Sequence, residues 1–513
     1  MTYNLFYIII YQKSINNNKF KQKKGFQMKN IKNGSDLAPK QLWYNFTQIL
    51  NVPRPSKREE KILKFLKEFG ENLNLETTVD KVGNVIIRKP ATPGLENLKT
   101  VILQAHMDMV PQKNNDTVHN FETDPISAYV ENGWVKAEGT TLGADNGIGV
   151  AAMMTVLESK ELQHGPIEAL FTADEETGMT GAFGLEKGEL KGSILLNLDT
   201  EEEGELYIGC AGGIDSNVVF SYSEDSVPEN VYAYKISVTG LKGGHSGAEI
   251  HLGKGNANKI MNRILWNASK KHGLRVSSVN GGGLRNAIPR ESTAIVTVPK
   301  ENELLSYVSK ISDKIKSELS AAEPDLTVSV EEVNAPTALM NLNSQKQLLN
   351  TVYAAPNGVI RMADGIPGLV ETSTNMAQVI VKNGKAKVLF LTRSSVDTAK
   401  DDVSNTIQAV FELIDAKAEH TGAYPGWKPD INSEILNVSK EIYKEMFGNE
   451  PEIKAIHAGL ECGLFKSVYP DMDMVSVGPT ILNPHSPDEM AEIESVKKFW
   501  DYFVEILKNI PNK

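Results

Sequence analysis

An amphipathic helix is predicted near residue 60 from the spacing of apolar residues. Ile62, Leu66 and Phe69 recur at helical intervals and would share one face. Ser56 and Glu59 precede them at the spacing of a capping box, in which each side chain bonds to the backbone N–H of the other residue. The pattern therefore predicts a helix that is capped by Ser56 and buries one apolar face.

Short apolar runs bounded by turn residues follow this helix and alternate with helical stretches. The runs predict strands at residues 84–87, 100–105, 167–172, 193–198 and 474–477. A helical stretch at residues 148–157 lies between the second and the third of these strands. Strands that alternate with helices are typical of a mostly parallel sheet covered by helices, so an α/β domain is predicted.

The order of elements changes between residues 213 and 422, where two successive sets of strands and helices occur. The first set has predicted strands at 234–238, 294–298 and 326–330 and helices at 256–266 and 304–319. The second has predicted helices at 345–353 and 398–414 and strands at 376–381, 387–392 and near 418. Each set fits a ferredoxin-like arrangement. We therefore predict an inserted α+β domain of two ferredoxin-like lobes at residues 213–422, and an α/β domain from residues 28–212 and 423–513.

The composition limits the partners of the chain. Its 513 residues exceed what one hydrophobic core usually organises, which agrees with two domains. A formal net charge of -11 disfavours nucleic acid and anionic membranes, because both are negatively charged. Cys210 and Cys462 form no CxxC pair, so we expect neither a disulfide framework nor a thiolate zinc site. A reducing, cytoplasmic location fits this cysteine usage.

The start of the chain is predicted to lie outside the folded domains. Residues 5–11 are apolar but fall well short of the roughly 20 residues that span a bilayer, and no basic segment precedes them. The run that follows is rich in Asn, Lys and Gln and has no periodicity. We expect residues 1–27 to be a disordered leader or the product of a misassigned start, with Met28 as the alternative first residue.

Histidine and acidic side chains are concentrated where predicted strands end, which is the edge at which open α/β sheets bind ligands. The segments are HMD at 106–108, GADNG at 143–147, DEE at 174–176, NLDT at 197–200 and NPHSPD at 483–488. Each alone has an ordinary reading, such as a strand-end histidine, an N-capping aspartate, a solvated acidic loop or a proline-bracketed turn. The acidic run 201–203 that continues the fourth segment is predicted to be solvated.

Together these segments supply the groups that a two-metal hydrolytic site needs. Two histidines and three carboxylates suit a pair of divalent ions such as zinc, which polarise a carbonyl and lower the pKa of a water towards ~7. His106 and Asp108 point the same way in an extended chain, so Asp108 can orient the imidazole ring. Glu175 and Glu176 diverge, so one carboxylate can bind metal while the other acts as a base.

The five segments, in this order, resemble the co-catalytic zinc exopeptidases, a family that includes aminoacylases, carboxypeptidases and dipeptidases. The resemblance extends from about Met28 to the end of the chain, and its details are closest to the bacterial dipeptidases of the family. It implies two metal ions, zinc with cobalt or manganese as alternatives. The implied ligands are His106 and Asp199 for one ion, Glu176 and His485 for the other, and Asp145 as the bridge.

The resemblance also implies roles beside the metal ions. Glu175 would be the general base and then the acid that protonates the leaving amine, and Asp108 would support His106. The peptide bond between Asp145 and Asn146 would be cis, an uncommon geometry for a non-proline bond.

The inserted domain matches the lid of this family. His245, in the segment GGHSG, resembles the histidine that polarises the scissile carbonyl. Asn286, Arg393 and Gly459 resemble residues that grip the substrate, and Arg393 suits a free carboxylate. The resemblance implies that the chain hydrolyses Xaa-His and other unspecialised dipeptides. It also implies a monomer or a homodimer. The alternative is an amidohydrolase that removes an acyl or carbamoyl group from N-substituted amino acids.

Overall fold

The structure is a computed structural model that describes residues 29–30 and 36–513. The predicted leader at residues 1–27 and the alternative start Met28 lie outside the described residues. The helices of the described part are α1 Lys40–Leu50, α2 Glu60–Asn72, α3 Ala144–Glu158, α4 Glu175–Gly178, α5 Thr180–Gly184, α6 Ala257–Lys271, α7 Leu304–Leu319, α8 Leu342–Ala354, α9 Asp397–Glu412, α10 Glu434–Phe447, α11 Glu461–Val468 and α12 Ile493–Lys508. Within residues 36–513, none of the helices has both the length and the apolarity needed to cross a bilayer.

The strands fall into two large sheets and three small ones. From the start of the chain to the inserted region they are β1 Lys29–Asn30, β2 Glu76–Val79, β3 Val85–Lys89, β4 Val101–His106, β5 Ala128–Glu131, β6 Trp134–Ala137, β7 Ile167–Thr172, β8 Ile194–Asn197 and β9 Glu205–Cys210. Then follow β10 Gly212–Ser221, β11 Glu224–Asp225, β12 Val231–Thr239, β13 Gly244–His245, β14 Arg275–Gly281, β15 Ala287–Ile288, β16 Ser292–Pro299, β17 Thr327–Glu332 and β18 Leu339–Met340. The last are β19 Gly358–Met362, β20 Val370–Lys382, β21 Lys385–Ser394, β22 Lys417–Tyr424, β23 Glu452–Ile456, β24 Asp473–Ser476, β25 Ile481–Leu482 and β26 Met490–Glu492.

The main sheet has the strand order β2-β3-β7-β4-β8-β24-β9-β23. Its central pairs, from β7 to β24, are parallel, whereas β2, β3 and β7 pair in antiparallel fashion. Strands β4, β7 and β8 are buried along their whole length, as expected of mostly apolar runs in a sheet that is covered on both faces. The predicted α/β fold with a mostly parallel sheet is therefore confirmed.

Helix α2 is present where the apolar spacing predicted it, but the predicted capping box is wrong. The helix begins at Glu60, and no side chain of the described part of the chain caps it. The Oγ of Ser56 instead donates to the carbonyl oxygen of Met109 at 3.2 Å, and the backbone N–H of Ser56 donates to the same oxygen. Ser56 thus pairs with the strand-end segment after His106, and this tertiary pairing replaces the local cap.

The second large sheet takes all of its strands from residues 212–424 and has the order β17-β12-β16-β14-β20-β21-β10-β22, with β19 beside β20. Strands β17, β12, β16 and β14 with helices α6 and α7 form one ferredoxin-like lobe. Strands β20, β21, β10 and β22 with α8 and α9 form the other, and β14 joins β20 between them. Two ferredoxin-like lobes were predicted. The sequence did not reveal β10, which opens the second lobe although it precedes the first lobe in the chain.

Buried apolar side chains form two large clusters, one around the main sheet and one within the two lobes. The exact domain bounds, at residues 212–213 and 422–423, stay a prediction. Strands β25 and β26 form an antiparallel hairpin that pairs with β6 in a small sheet, and residues 483–489 are its loop. In the first lobe, β13 pairs with β15, which places His245 opposite Ala287. The 483–489 loop carries His485 and strand β13 carries His245, which are both predicted site residues.

Candidate metal centre

Strand ends and one hairpin loop place the five predicted ligands at the same edge of the main sheet. His106 is the last residue of β4, Asp145 lies in the first turn of α3, Glu176 lies in α4 directly after β7, Asp199 follows β8, and His485 lies in the β25–β26 loop. The carboxyl ends of neighbouring parallel strands meet at one edge, which explains why distant segments converge there.

Asp145 lies between the two histidines. Its Oδ1 is 3.0 Å from Nε2 of His106, and its Oδ2 is 3.2 Å from Nε2 of His485. Each carboxylate oxygen of Asp145 therefore faces a different imidazole, which is the arrangement that a bridging ligand requires. The peptide bond between Asp145 and Asn146 is cis, as the resemblance implied.

Two further carboxylates flank this centre. Oδ1 of Asp199 lies 3.5 Å from Nε2 of His106, and Oε2 of Glu176 lies 3.0 Å from Nε2 of His485. The structure thus brings all five predicted ligands together, in two groups that share Asp145. Their roles as ligands stay predictions.

The residues present fit a metal pair. Potential ligand atoms of His106, Asp145 and Glu176 lie within 4.8 Å of one another. Oε1 of Glu176 is buried and has no hydrogen-bond partner within residues 36–513. Buried carboxylates at such separations repel one another unless cations compensate them. Imidazole nitrogen and carboxylate oxygen are ligands that zinc accepts.

Asp108 connects one histidine to the acidic loop. Its carboxylate is buried, and Oδ1 lies 3.3 Å from Nδ1 of His106. The same carboxylate accepts the backbone N–H of Glu175 at 3.0 Å and that of Glu176 at 3.3 Å. Burial acts to raise the pKa of Asp108, but the interactions with His106, the Ser56 hydroxyl and the Glu175 N–H together lower that pKa. Asp108 is therefore suited to orient His106 and the loop together.

The electrostatic environment of Glu175 differs from that of an exposed carboxylate. Burial raises the pKa of Glu175 well above its ordinary value, His106 opposes the rise, and the nearby carboxylates of Asp199 and Glu461 add to it. A carboxyl group with a raised pKa holds a proton more readily than a solvated one, as a group that accepts and later returns a proton must do.

His245 has a defined tautomer. Its Nδ1 accepts the backbone N–H groups of Gly247 and Ala248 at 3.2 and 3.0 Å. Because Nδ1 accepts, the proton of the neutral ring is on Nε2. Burial and the nearby Arg393 lower the pKa of His245, which favours this neutral form. His245 is thus prepared to donate a hydrogen bond through Nε2.

The other predicted substrate contacts lie in the same region as His245. Arg393 is buried, and its Nη1 donates to the Tyr424 hydroxyl at 3.0 Å. Asn286 accepts the backbone N–H of Ser246, next to His245, at 2.8 Å through its carbonyl oxygen. A Cβ atom on Gly459 would lie 3.2 Å from the Tyr424 ring. These residues form a second group around Arg393, and their contacts with substrate stay predictions.

A contact at Gly459 joins the group around Arg393 to the candidate metal centre. A Cβ atom on Gly459 would lie 3.1 Å from the methyl carbon of Met179, which directly follows α4. Helix α4 carries Glu175 and Glu176. The group around Arg393 is therefore adjacent to the loop of the candidate metal centre.

Two residues near the centre were not among the site residues predicted from the sequence. Glu201 was predicted to be solvated with the rest of its acidic run, but its side chain is half-buried, whereas Glu202 is exposed. Burial, followed by the charges of Asp145 and Asp199, raises the pKa of Glu201 to about 8. Its position two residues after Asp199 was an available signal. Arg54 is buried and donates to the carbonyl oxygens of Met107, Asp108 and Gly143, and no pattern in the sequence points to it.

Known proteins resemble this chain over most of its length. The model of peptidase family M20/M25/M40 matches residues 102–509. The cytosol non-specific dipeptidase of Escherichia coli (strain K12) is 47% identical over 481 residues, which cover 93% of this chain and 99% of that protein. The crystal structure of aminoacylhistidine dipeptidase from Vibrio alginolyticus matches with a TM-score of 0.90 and 49% identity, over 93% of this chain and 98% of that one.

A more distant structure shares the fold alone. A tripeptidase from Staphylococcus aureus is 16% identical, with a TM-score of 0.52 over 92% of this chain and 99% of that chain. The family match and the two dipeptidases confirm the resemblance that the five sequence segments indicated. This chain belongs to peptidase family M20/M25/M40.

Proposed function

We propose that this chain is a dipeptidase that hydrolyses the peptide bond of Xaa-His and other unspecialised dipeptides. The proposed reaction uses two bound divalent metal ions, and zinc is the proposed metal. The observation that carries the proposal is the position of Asp145, whose two carboxylate oxygens face His106 and His485 separately. Family membership and two relatives named as dipeptidases, each matching 93% of the chain, support the same conclusion.

The proposed ligands divide between the two ions. His106 and Asp199 would hold one ion, Glu176 and His485 the other, and Asp145 would bridge them. When bound, such a pair polarises the scissile carbonyl and lowers the pKa of a water towards ~7. Oε1 of Glu176, which is buried and has no hydrogen-bond partner among the described residues, supports the assignment of Glu176 as a ligand.

Glu175 is the proposed general base. It would take a proton from the attacking water and return that proton to the leaving amine. Its raised pKa suits both halves of this transfer. The N–H of Glu175 is held by Asp108, so the loop that carries the base is fixed to the residue that also orients His106.

The lid residues are proposed to orient the substrate. His245 would donate its Nε2–H to the oxygen that becomes negative in the transition state, a contribution of about 3 to 4 kcal/mol for a well-placed donor. Arg393 would bind the free carboxylate of the dipeptide with paired hydrogen bonds, and Asn286 and Gly459 would line the same pocket. Glu201 would face the free ammonium group, since it lies near Asp145 and Asp199.

A substrate panel tests this proposal against the amidohydrolase alternative. Metal-free protein is reloaded with zinc, cobalt or manganese and assayed with dipeptides, tripeptides, and N-acetyl and N-carbamoyl amino acids. We expect turnover of dipeptides with a free amino end, and much slower turnover of the blocked compounds. Preferential turnover of N-acyl or N-carbamoyl amino acids would contradict the proposal.

Three further assignments stay proposals. We propose a cytoplasmic location, which agrees with the word cytosol in the name of the Escherichia coli relative. A small peptide is the proposed partner. A monomer or a homodimer is the expected oligomeric state, and size measurement by light scattering decides between them.

A further inference from the structure

A buried carboxylate, Glu489, lies against the loop that carries Asp145. Its Oε2 accepts the backbone N–H groups of Leu142 and Gly143 at 2.8 and 2.9 Å. Its Oε1 accepts those of Ala144 and Asp145 at 2.7 and 3.3 Å. The first N–H groups of a helix have no acceptor within the helix itself. Glu489, which is only 2% exposed, supplies acceptors for the N–H groups just before and at the start of α3, where Asp145 and Asn146 have non-helical backbone angles.

Glu489 belongs to the same hairpin loop as His485. The backbone N–H of Glu489 donates to the carbonyl oxygen of Ser486 at 3.0 Å, and the hydroxyl of Ser486 donates to the carbonyl oxygen of Asn483 at 2.9 Å. These bonds brace the loop internally, so the position of His485 is tied to that of Glu489. Since Glu489 also holds the backbone at Asp145, one side chain links two of the proposed ligands.

Arg54 holds the opposite side of the same segment. Its guanidinium donates to the carbonyl oxygen of Gly143, and also to those of Met107 and Asp108 at 3.2 and 2.5 Å. A Cβ atom at position 143 would lie 2.6 Å from this guanidinium, and Gly143 has a φ of 69°. Glycine is therefore needed where the loop passes between Arg54 and Glu489.

We propose that Glu489 is a positioning residue for the metal pair, which fixes the orientation of Asp145 relative to His485. It acts through the backbone of the 142–145 loop. Four N–H donors need two acceptor oxygens, so a glutamine at this position would turn an amide nitrogen towards two of the donors. The inference rests on the proposed function in taking Asp145 and His485 as ligands. It adds a residue that the ligand set does not include.

The test compares Glu489→Gln with a matched control, Glu168→Gln. Glu168 is also 2% exposed and accepts two backbone N–H groups, those of Lys191 and Gly192, at 2.7 and 2.9 Å. It lies on β7, near the strand end opposite to the centre. Zinc is titrated into metal-free protein by calorimetry, and amide hydrogen exchange of residues 142–145 is measured in the metal-free state.

We expect Glu489→Gln to raise the Kd for zinc by about 10- to 100-fold, in the range seen when groups that support metal ligands are removed. Exchange of the 142–145 amides should quicken. The control should keep the zinc Kd of the unmodified protein. An unchanged Kd in Glu489→Gln, or an equal loss in both variants, would overturn the proposal.

A second variant covers the case in which Glu489→Gln does not fold. Glu489→Asp keeps the charge but withdraws the carboxylate by one methylene, so weaker zinc binding is again expected, and an unmodified Kd would overturn the proposal. Zinc binding by the unmodified protein separates the proposed function from the proposed role of Glu489. If the unmodified protein does not bind zinc, the proposed function is wrong. If the unmodified protein and the Glu489 variants bind zinc equally tightly, only the role of Glu489 is wrong.

Discussion

The carboxylate of Asp108 accepts the backbone N–H of Glu175 at 3.0 Å. The same group faces His106 at 3.3 Å, so the proposed general base and a proposed metal ligand depend on one buried side chain. A change at Asp108 should consequently affect metal binding and proton transfer together, although Asp108 itself performs neither.

Asp108→Asn is expected to lower kcat/KM for a dipeptide by about 10- to 100-fold and to weaken metal binding. Asparagine has one acceptor oxygen, whereas the N–H groups of Glu175 and Glu176 use both oxygens of the carboxylate. Steady-state kinetics and metal titration measure the two effects.

A suitable control for this variant is Asp473→Asn. Asp473 also accepts a backbone N–H, that of Ile435 at 3.0 Å, and lies at the start of β24, away from the centre. It should lose stability but keep its kcat when metal is saturating. Equal kinetic losses in both variants would contradict the role assigned to Asp108.

Glu175→Gln and Glu176→Gln are expected to differ although the residues are neighbours. The first should lower kcat by about 10²- to 10⁴-fold and keep the metal content, because it removes only a base. The second should lose metal, because it removes a proposed ligand. Elemental analysis beside dipeptide hydrolysis distinguishes them, and near-normal turnover by Glu175→Gln would show that the base is assigned wrongly.

Arg393→Lys is expected to raise KM for dipeptides about tenfold or more, since lysine cannot form the paired hydrogen bonds of a guanidinium with a carboxylate. Dipeptide amides, which lack that carboxylate, should be affected much less. Arg263→Lys is a control on the same domain, because Arg263 forms a partly exposed ion pair with Glu318 on α7. If the dipeptides and their amides respond equally to Arg393→Lys, Arg393 does not bind the carboxylate.

His457 is expected to make stability depend on pH. Burial, followed by the charge of Arg393, lowers its pKa to about 3, and its Nε2 lies 2.7 Å from the Ser373 hydroxyl. Between about pH 6.5 and pH 3 the unfolded chain protonates this histidine and the folded chain does not. The free energy of unfolding should therefore fall as pH falls through that window, by at most about 1.4 kcal/mol per pH unit from this residue.

Urea unfolding of metal-free protein at pH 7, 6 and 5 measures this dependence. In His457→Gln the free energy of unfolding should change less steeply with pH, because glutamine does not titrate. The other titratable groups contribute equally to both proteins. An identical slope in the two proteins would contradict the assignment.

The sequence predicted the main sheet well because its signal is local. The run that forms β7 is apolar except for Glu168 and Thr172, and its observed bounds, Ile167–Thr172, are the predicted ones. The polar segments after β4, β7 and β8 could be expected to converge, because the carboxyl ends of parallel strands share an edge. Asp145 and His485 do not follow those strands, and the full set of five ligand candidates came from the resemblance of the five segments to the family.

What the sequence did not reveal depends on contacts between distant segments. Ser56 looks like a helix cap, but it pairs with Met109. Arg54 looks like an exposed cation, but backbone carbonyl oxygens from two loops surround it. Glu201 belongs to an acidic run that usually faces solvent, yet it is half-buried, and the charges of Asp145 and Asp199 help to raise its pKa. Residue type and local spacing do not encode such tertiary contacts, apart from the position of Glu201 two residues after Asp199.

Strand β10 imposes an order of assembly on the lid. Its neighbours in the sheet are β21 and β22, which the ribosome delivers only after the entire first lobe has been made. The first lobe, built from one continuous stretch of chain, can fold while β10 waits without a partner. Pairings between such distant segments slow folding and prolong the exposure of apolar strand edges. The second lobe is therefore the part of the lid that should form last during synthesis and be most exposed to aggregation until its final strand arrives.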